Sequence, residues 1–294
     1  MGIRRVFKSQ RLWLDLAGLA LSAGLFVAAF HAHAPVQDML VGVATSFIFA
    51  TILDMFVTLQ NRLADRARVH FFGAELVRRE TLLCYPDFVM HDDVRATLND
   101  HNQQMLFQRP HSRFVELTVH RIDIPRVVAA NDIQSLLYVS SAFEARNTCP
   151  VMITVDTAIV DDCARSFVSF GLSSNDCTHL YANEHADPLF TIIEDEVGSE
   201  FIRLRNGSEY RSTKRKQYGI ILRYAPNPEE FPERRWLLVA GLGPVGTTAT
   251  GWYLSQHWRQ LAGSVPRDKN FIAVLSTGVY TDHAPHLEEI CLDD

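Results

Sequence analysis

Three glycines near the C-terminus have the spacing of a phosphate-binding loop. Gly241, Gly243 and Gly246 lie in WLLVAGLGPVGTTATGWYL, which has the pattern of a buried strand, a glycine loop and the start of a helix. Such glycines permit a tight turn and let backbone N–H groups approach a phosphate at a helix N-terminus. Thr247 and Thr248 add two hydroxyl groups directly after the loop. The pattern predicts a site for a phosphate or a nucleotide.

A second polar loop, GLSSND, follows the apolar segment SFVSF and leads into a predicted helix. Its candidate binding residues are Gly171, Ser173, Ser174 and Asn175. Ligands of open α/β sheets bind outside the carboxyl ends of the strands. Two strand–loop–helix elements that point the same way would therefore place both loops at one crevice. The alternative is that both loops are tight turns with helix caps and bind no ligand.

The place of the glycine fingerprint argues against a classical NAD-dependent dehydrogenase. The fingerprint usually lies in a first βαβ unit, with an acidic residue about 20 positions later that holds the ribose. Here only the strand FIAVL and a short tail follow it. The cofactor is therefore unknown: a nucleotide fits the loops, whereas classical NAD binding is not expected.

Other groups of reactive residues give weaker patterns. GLSSN lacks the second glycine of a nucleophile elbow. A hydrolase would need a carboxylate near the loops, and the candidates are Glu184, Asp176 and Asp282. The segments HDD (91–93) and HAPH (283–286) lack the H-E-x-x-H spacing of a zinc site, so we predict no metal. RSTKRK (211–216) is expected to be a charged hairpin tip, or else to meet anionic lipid or a ligand phosphate.

Composition limits the compartment and the partners. The chain has 294 residues, a formal net charge of −6 and a pI of about 6.0, so direct binding to nucleic acid is not expected. Its five cysteines form no C-x-x-C motif, which suits a reducing compartment better than a disulfide framework.

Two apolar segments near the N-terminus are each long enough to cross a bilayer, whose hydrocarbon core is roughly 30 Å thick. Residues 12–30 and 39–59 each contain one charged residue. The AHA at 32–34 resembles a signal-peptide cleavage site, but the first run is too long for a signal peptide and a second span follows. The sequence predicts a two-helix transmembrane hairpin over residues 1–60.

Basic residues predict the orientation of this hairpin. Those before the first span are Arg4, Arg5, Lys8 and Arg11, and those after the second are Arg62, Arg66 and Arg68. The connecting HAHAPVQD contains neither Lys nor Arg. By the positive-inside rule, both termini are expected on the cytoplasmic side of the membrane.

Small and polar residues recur along both spans. In the second span they fall at every fourth position, Gly42, Ser46, Ala50, Asp54 and Thr58, and in the first span one face carries Asp15, Gly18 and Ser22. Such stripes let helices approach closely in lipid, and they favour a homo-oligomer. A carboxylate within a span is costly in contact with lipid. Asp15 and Asp54 are thus expected either to be hydrated near the interface or to line a shared polar constriction.

Changes of hydrophobic period divide the rest of the chain. Residues 61–111 are predicted to form a helical stalk or linker. Alternation in RFVELTVHRID, SLLYVSSAFEARN and VMITVDTAIV predicts a small antiparallel β region over 112–160. Residues 161–294 are predicted to form a Rossmann-like α/β domain. A β-meander of LFTII, EFIRLRN and YGIILRY is expected between its two strand–loop–helix elements.

Three segments of this last part resemble a bacterial sequence pattern. The pattern has a GGPxSNxxT loop, a strand ending in pNP, and a strand–loop–helix of the type vaGlgpxGT. Its counterparts here are Gly171, Ser174, Asn175 and Thr178, then YGIILRYAPNP, then LLVAGLGPVGTTATGWYL. Leu172 and Ser173 replace the second glycine and the proline. The pattern is similar to sensor or effector domains found beside membrane spans in bacterial anti-phage and nucleotide-signalling systems.

The resemblance implies an inner-membrane effector or sensor of the anti-phage type. Its cytosolic domain is expected to bind a nucleotide-like ligand or a partner protein of a defence system, while the hairpin assembles in the lipid bilayer and disturbs it. Two alternatives remain open. One is a membrane-tethered nucleotide or NAD hydrolase, and the other is a membrane-anchored scaffold without a ligand.

Overall fold

The computed structural model describes residues 3–89, 91–93, 126–144, 149–161, 163–279 and 284–293. The chain divides into two compact units, Met1–Ala67 and Arg68–Asp294. Several predictions lie outside the described residues: the strand RFVELTVHRID, residues 94–111 of the predicted stalk or linker, the residue Asp282 and the side chain of Asp15.

Two helices make up the first unit. Helix α1 runs over Ile3–Phe30, and helix α2 runs over Val36–Phe72 and continues into the second unit. Within the described residues, α2 is the helix long and apolar enough to cross a membrane, and only 6% of its most apolar window is buried within the protein. A core helix of a soluble protein would be mostly buried. The described apolar part of α1, Ala17–Phe30, is shorter, so the first of the two spans stays a prediction.

The small residues of α2 lie on two different sides of the helix. A β-carbon at Gly18 of α1 would lie 3.1 Å from the Thr51 Oγ1, so α1 approaches α2 on the side of Thr51. Gly42, Ser46 and Ala50 are exposed instead. Nothing in the described part of the chain lies within 4 Å of a β-carbon built at Gly42. The part of the predicted stripe formed by Gly42, Ser46 and Ala50 is therefore not the surface on which α2 meets α1, whereas Asp54 and Thr58 are half-buried.

The second unit is an α/β unit. Its helices are α3 (Ala74–Arg78), α4 (Ala130–Glu144), α5 (Asp156–Val160), α6 (Asp176–Glu184) and α7 (Pro244–Ser264). Its strands are β1 (Thr81–Tyr85), β2 (Phe88–Val89), β3 (Arg126–Val127), β4 (Val151–Val155), β5 (Phe167–Phe170), β6 (Phe190–Glu194), β7 (Glu200–Leu204), β8 (Glu209–Arg211), β9 (Lys216–Tyr224), β10 (Trp236–Leu242), β11 (Phe271–Gly278) and β12 (His286–Leu292).

Seven of these strands form one mixed sheet in the order β12-β11-β9-β10-β5-β1-β4. Strands β4, β1, β5 and β10 are parallel to one another, whereas β9 and β12 run antiparallel to their neighbours. With β11 included, the strands that share one direction follow the chain order 2-1-3-4-5, as in some doubly wound sheets, but the antiparallel β9 lies between the fourth and the fifth of them. Two smaller sheets consist of β2-β3 and of β6-β7-β8.

Helices cover both faces of the large sheet. Helix α4 packs against α7, and α5 packs against α6. Ala240 of β10 belongs to the core that contains Tyr181 of α6, whereas the next residue, Gly241, faces the first turn of α7. The two helix pairs therefore lie on opposite faces. Helix α4 is the next described helix after β1, and β5 leads into α6. The chain therefore changes face between two adjacent parallel strands, which makes a topological switch point.

The prediction of a strand in SLLYVSSAFEARN is wrong, because residues 135–144 of this segment belong to helix α4. Its buried side chains follow helical spacing: Asp132, Ser135, Leu136, Val139, Ser140 and Phe143. Val139 and Phe143 fit both a helical and an alternating pattern, which explains the error. Strand β4 also departs from the predicted antiparallel region, since it pairs in parallel with β1 in the large sheet. Strand β1, Thr81–Tyr85, lies in the middle of the region predicted to be a helical stalk or linker.

The two predicted strand–loop–helix elements are present as β5–α6 and β10–α7, with a three-stranded sheet between them. Strand β9 was expected in that meander but lies in the large sheet between β10 and β11. The unit is thus a mixed α/β sheet domain. The Rossmann-like assignment to residues 161–294 stays a prediction, because β1 and β4 come from before residue 161.

Candidate functional site

The two glycine loops follow adjacent parallel strands. Phe170 of β5 is in register with Val239 of β10, and the Gly171 N–H donates to the Val239 carbonyl at 3.3 Å. Gly171 and Gly243 both have positive φ, 109° and 92°, a conformation that glycine adopts without the strain of a side chain. The structure therefore brings both loops to one edge of the sheet, beside the switch point.

Two glycines of the fingerprint are required by packing. A β-carbon at Gly241 would overlap the backbone of Gly246 and Thr247. A β-carbon at Gly246 would lie 2.5 Å from the Tyr218 carbonyl oxygen of β9. These glycines allow the first turn of α7 to lie directly on the sheet. Close packing thus accounts for both residue types, and their contact with a ligand stays a prediction.

The N-terminus of α7 already has an internal hydrogen-bond acceptor. The Gly246 N–H donates to the side-chain oxygen of Gln217 at 3.0 Å, and a β-carbon at Gly243 would lie 3.1 Å from the same oxygen. Gln217 therefore occupies a position in which a phosphate oxygen would accept this hydrogen bond. An anion bound there would have to displace the amide.

The N-terminus of α6 is also capped by the protein. Asn175 is fully buried, accepts from the Cys177 N–H at 2.8 Å and donates to the Phe170 carbonyl at 2.8 Å. The Asp176 N–H donates to the Asp156 carboxylate at 2.9 Å. Burial raises the pKa of Asp156. Asn175 thus acts as the helix cap that the sequence allowed as an alternative to a ligand contact.

The predicted hydroxyl groups belong to Ser173, Ser174, Thr247 and Thr248. Both threonines are buried, and the Thr248 hydroxyl accepts from the Asn131 amide at 3.0 Å. The Ser173 hydroxyl donates to the Glu200 carboxylate at 2.7 Å, while Ser174 is exposed. Three of the four side chains are therefore engaged by, or buried within, the protein.

Sequence reasoning missed Asp132, which lies in the first turn of α4. Its side chain is 8% exposed, and within the described part of the chain no hydrogen bond or ion pair reaches its carboxylate. A β-carbon at Gly171 would lie 3.5 Å from the Asp132 Oδ2 and 3.3 Å from Pro86, which follows β1. The carboxylate thus lies at the carboxyl ends of β1 and β5. An acidic residue is typical of the first turn of a helix, so Asp132 could have indicated where α4 begins. The segment that follows it was predicted to be a strand, and Asp132 was therefore not considered.

The electrostatic state of Asp132 follows from this position. Burial raises its pKa to about 6. No neighbouring cation in the described residues offsets the burial. A buried carboxylate without a partner is unfavourable for the free protein, and groups in that situation are concentrated at functional sites.

Helix α4 runs from the strand ends beside Asp132 to the end of α2. Asp132 lies in its first turn, and in its last turn Phe143 packs against Phe72, with ring centroids 4.6 Å apart. An Arg68 guanidinium nitrogen donates to the Ala142 carbonyl at 2.5 Å. The last turn of α2 is therefore built into the core of the second unit.

The remaining candidates do not converge on a site. Asp176 and Glu184 begin and end helix α6, so they lie about 12 Å apart along its axis. In RSTKRK, which joins β8 to β9, Lys216 pairs with Glu288 at 2.7 Å. Among the described residues, no three His, Cys, Asp or Glu side chains are grouped as metal ligands.

A cleft of about 560 Å³ lies between the three-stranded sheet and β12. Its charged groups bind one another: Arg205 pairs with Asp187 at 3.3 Å and with Asp293 at 3.0 Å. Asn206 donates to Glu289 at 2.6 Å. The charged groups that line this cleft are therefore largely satisfied within the protein.

Comparison of the chain with family models, with curated proteins and with solved structures gave no match. The roles of these residues therefore follow from their geometry and chemistry alone.

Proposed function

We propose that the protein is a membrane-anchored sensor whose α/β unit binds a small nucleotide-like ligand in the crevice beside Asp132. The observation that supports this most is the buried Asp132 carboxylate next to Gly171 at the switch point, which has no partner among the residues that the structure describes. Ligands of doubly wound sheets bind at such points. A ligand that hydrogen-bonds Asp132 would relieve the cost of burying it.

The same contacts supply a route from the ligand to the membrane. Helix α4 starts at the crevice, and its last turn holds Phe72 of α2 through Phe143. A ligand that shifts α4 would therefore shift the end of the apolar helix. In the proposal, the protein is an effector or sensor of the bacterial inner membrane that works in anti-phage defence. A scaffold without a ligand would leave the burial of Asp132 unexplained.

The binding site is tested by comparing Gly171→Ala with Gly207→Ala in the full-length protein. Both glycines have positive φ, but a β-carbon at Gly207 meets no described atom within 4 Å, whereas one at Gly171 meets Pro86 and Asp132. Each change is expected to cost about 1 kcal/mol in backbone strain. Mass spectrometry of small molecules released from the purified proteins should find the ligand with wild type and Gly207→Ala and lose it with Gly171→Ala. Equal retention by both variants would place the ligand elsewhere.

Both termini are expected in the cytoplasm, because basic residues flank the two apolar segments and are absent between them. A fluorescent protein fused after Asp294 should fold and fluoresce. An alkaline phosphatase inserted between α1 and α2, at residues 31–35, should be active in the periplasm. Active phosphatase at the C-terminus would contradict the orientation.

The exposed stripe of α2 is expected to join copies of the protein in the membrane. Gly42→Leu places a bulky side chain on this stripe, where it prevents close helix approach, and it should weaken self-association at least tenfold. Gly24→Leu on α1 is the matched control, since a β-carbon there also meets no described atom within 4 Å. Native mass spectrometry in detergent distinguishes the oligomers. If Gly42→Leu associates as strongly as Gly24→Leu, another surface joins the copies.

A further inference from the structure

The polar groups around the crevice identify what kind of ligand it can hold. The N–H groups at the start of α6 already donate to Asn175 and Asp156, and Gly246 at the start of α7 donates to Gln217. These three N–H groups at the helix starts are therefore already occupied by the protein. The Asp132 carboxylate, in contrast, is an acceptor that no described residue satisfies.

An open carboxylate requires a ligand group that donates hydrogen bonds. A phosphate placed against Asp132 would be repelled by its charge. Two hydroxyl groups on adjacent carbons match a carboxylate well, because its two oxygens lie in one plane and each accepts one hydrogen bond. Gly171 is the backbone neighbour of this carboxylate at the end of β5, since a β-carbon there would lie 3.5 Å from Oδ2.

We propose that Asp132 accepts hydrogen bonds from the 2′- and 3′-hydroxyl groups of a ribose, so that the crevice binds ribonucleosides in preference to their 2′-deoxy analogues. This inference rests on the proposed function, because it names the part of the ligand that the site recognises. A removed ribose hydroxyl leaves one carboxylate oxygen buried without a partner, which sites of this kind reject strongly.

The test is calorimetric titration of the full-length protein in detergent with adenosine, guanosine, cytidine and uridine, and with their 2′-deoxy analogues. At least one ribonucleoside should bind wild type at least tenfold more tightly than its deoxy analogue. Asp132→Asn should abolish this preference. Asp187→Asn, which changes an exposed carboxylate in the cleft, should retain it. Equal binding of the two sugars, a preference that survives in Asp132→Asn, or no binding by any nucleoside would overturn the inference.

Putrescine serves as a probe for the other class of hydrogen-bond donor. If it binds wild type, no nucleoside binds, and Asp132→Asn abolishes its binding, the carboxylate recognises an amine and the ribose assignment is wrong. A molecule that co-purifies with the protein, depends on Gly171 and lacks a pair of adjacent hydroxyls would also overturn the inference, while leaving the proposed function intact.

Thermal unfolding shows whether Asp132→Asn still folds and whether the carboxylate is buried at a cost. Its pKa is raised to about 6 in the folded protein, so the carboxyl contributes stability at low pH that is lost as the pH rises through 6. Asp132→Asn should therefore melt roughly 4 °C above wild type at pH 7.5, with a much smaller difference at pH 4.5. A variant that loses binding and also melts lower at pH 7.5 would contradict a binding role for this side chain.

Discussion

Gly241→Ala is expected to destroy the folded α/β unit, although it adds a single methyl group. The new β-carbon would overlap backbone atoms of Gly246 and Thr247 in the first turn of α7. Backbone in a helix cannot rotate away as a side chain can, so the whole helix must leave β10. Overpacking of this kind costs about 3 kcal/mol or more, a large part of the stability of a domain. Thermal unfolding of the full-length protein in detergent, followed by circular dichroism, measures the loss.

Gly263→Ala in the last turn of α7 is the control for this change. A β-carbon there meets no described atom within 4 Å, and alanine favours a helix over glycine by up to about 1 kcal/mol. This variant should melt at or above the wild-type temperature. If Gly241→Ala melts at the same temperature as Gly263→Ala, the close contact between β10 and α7 is absent. Contact with a ligand would then have to account for the glycine at position 241.

Phe72→Ala is expected to cost about 3–5 kcal/mol, the usual range for removing a buried phenylalanine ring. Phe72 is 1% exposed, and its ring lies 4.6 Å from Phe143, 5.5 Å from Trp258 and 4.8 Å from Phe71, measured between centroids. The loss falls where α2 enters the second unit. In this variant, ligand binding should therefore no longer change the conformation of α2. Differential scanning calorimetry measures the first effect, and ligand-dependent protease cleavage within α2 measures the second.

Leu137→Ala provides the comparison on α4. Leu137 is a large apolar residue of the same helix but is 58% exposed, so its truncation should change stability by less than about 0.5 kcal/mol. If Phe72→Ala and Leu137→Ala melt at similar temperatures, the contacts of Phe72 with Phe71, Phe143 and Trp258 do not hold α2 against the second unit. Unchanged ligand-dependent cleavage in Phe72→Ala would refute the route through α4.

Local sequence patterns determined the elements that carry their own signals. The buried run WLLVA, the glycine turn and the following helix predicted β10 and α7 because each signal lies within one element. The apolar length of α2 predicted a possible membrane span for the same reason. Asn175 has the residue type and the position of a helix cap, and this local pattern held as well.

The tertiary structure decided what depends on residues distant in sequence. Strand β4 pairs with β1 across about 65 residues, so the sequence pattern had no means of assigning either strand to the large sheet. Val139 and Phe143 fit two hydrophobic periods, and only packing against α7 and Phe72 selects the helix. That helix brings Asp132 to Gly171. Gly241 and Gly246 belong to a fingerprint typical of phosphate sites, yet their surroundings show a packing role, because what a glycine makes room for depends on the chain that lies opposite it.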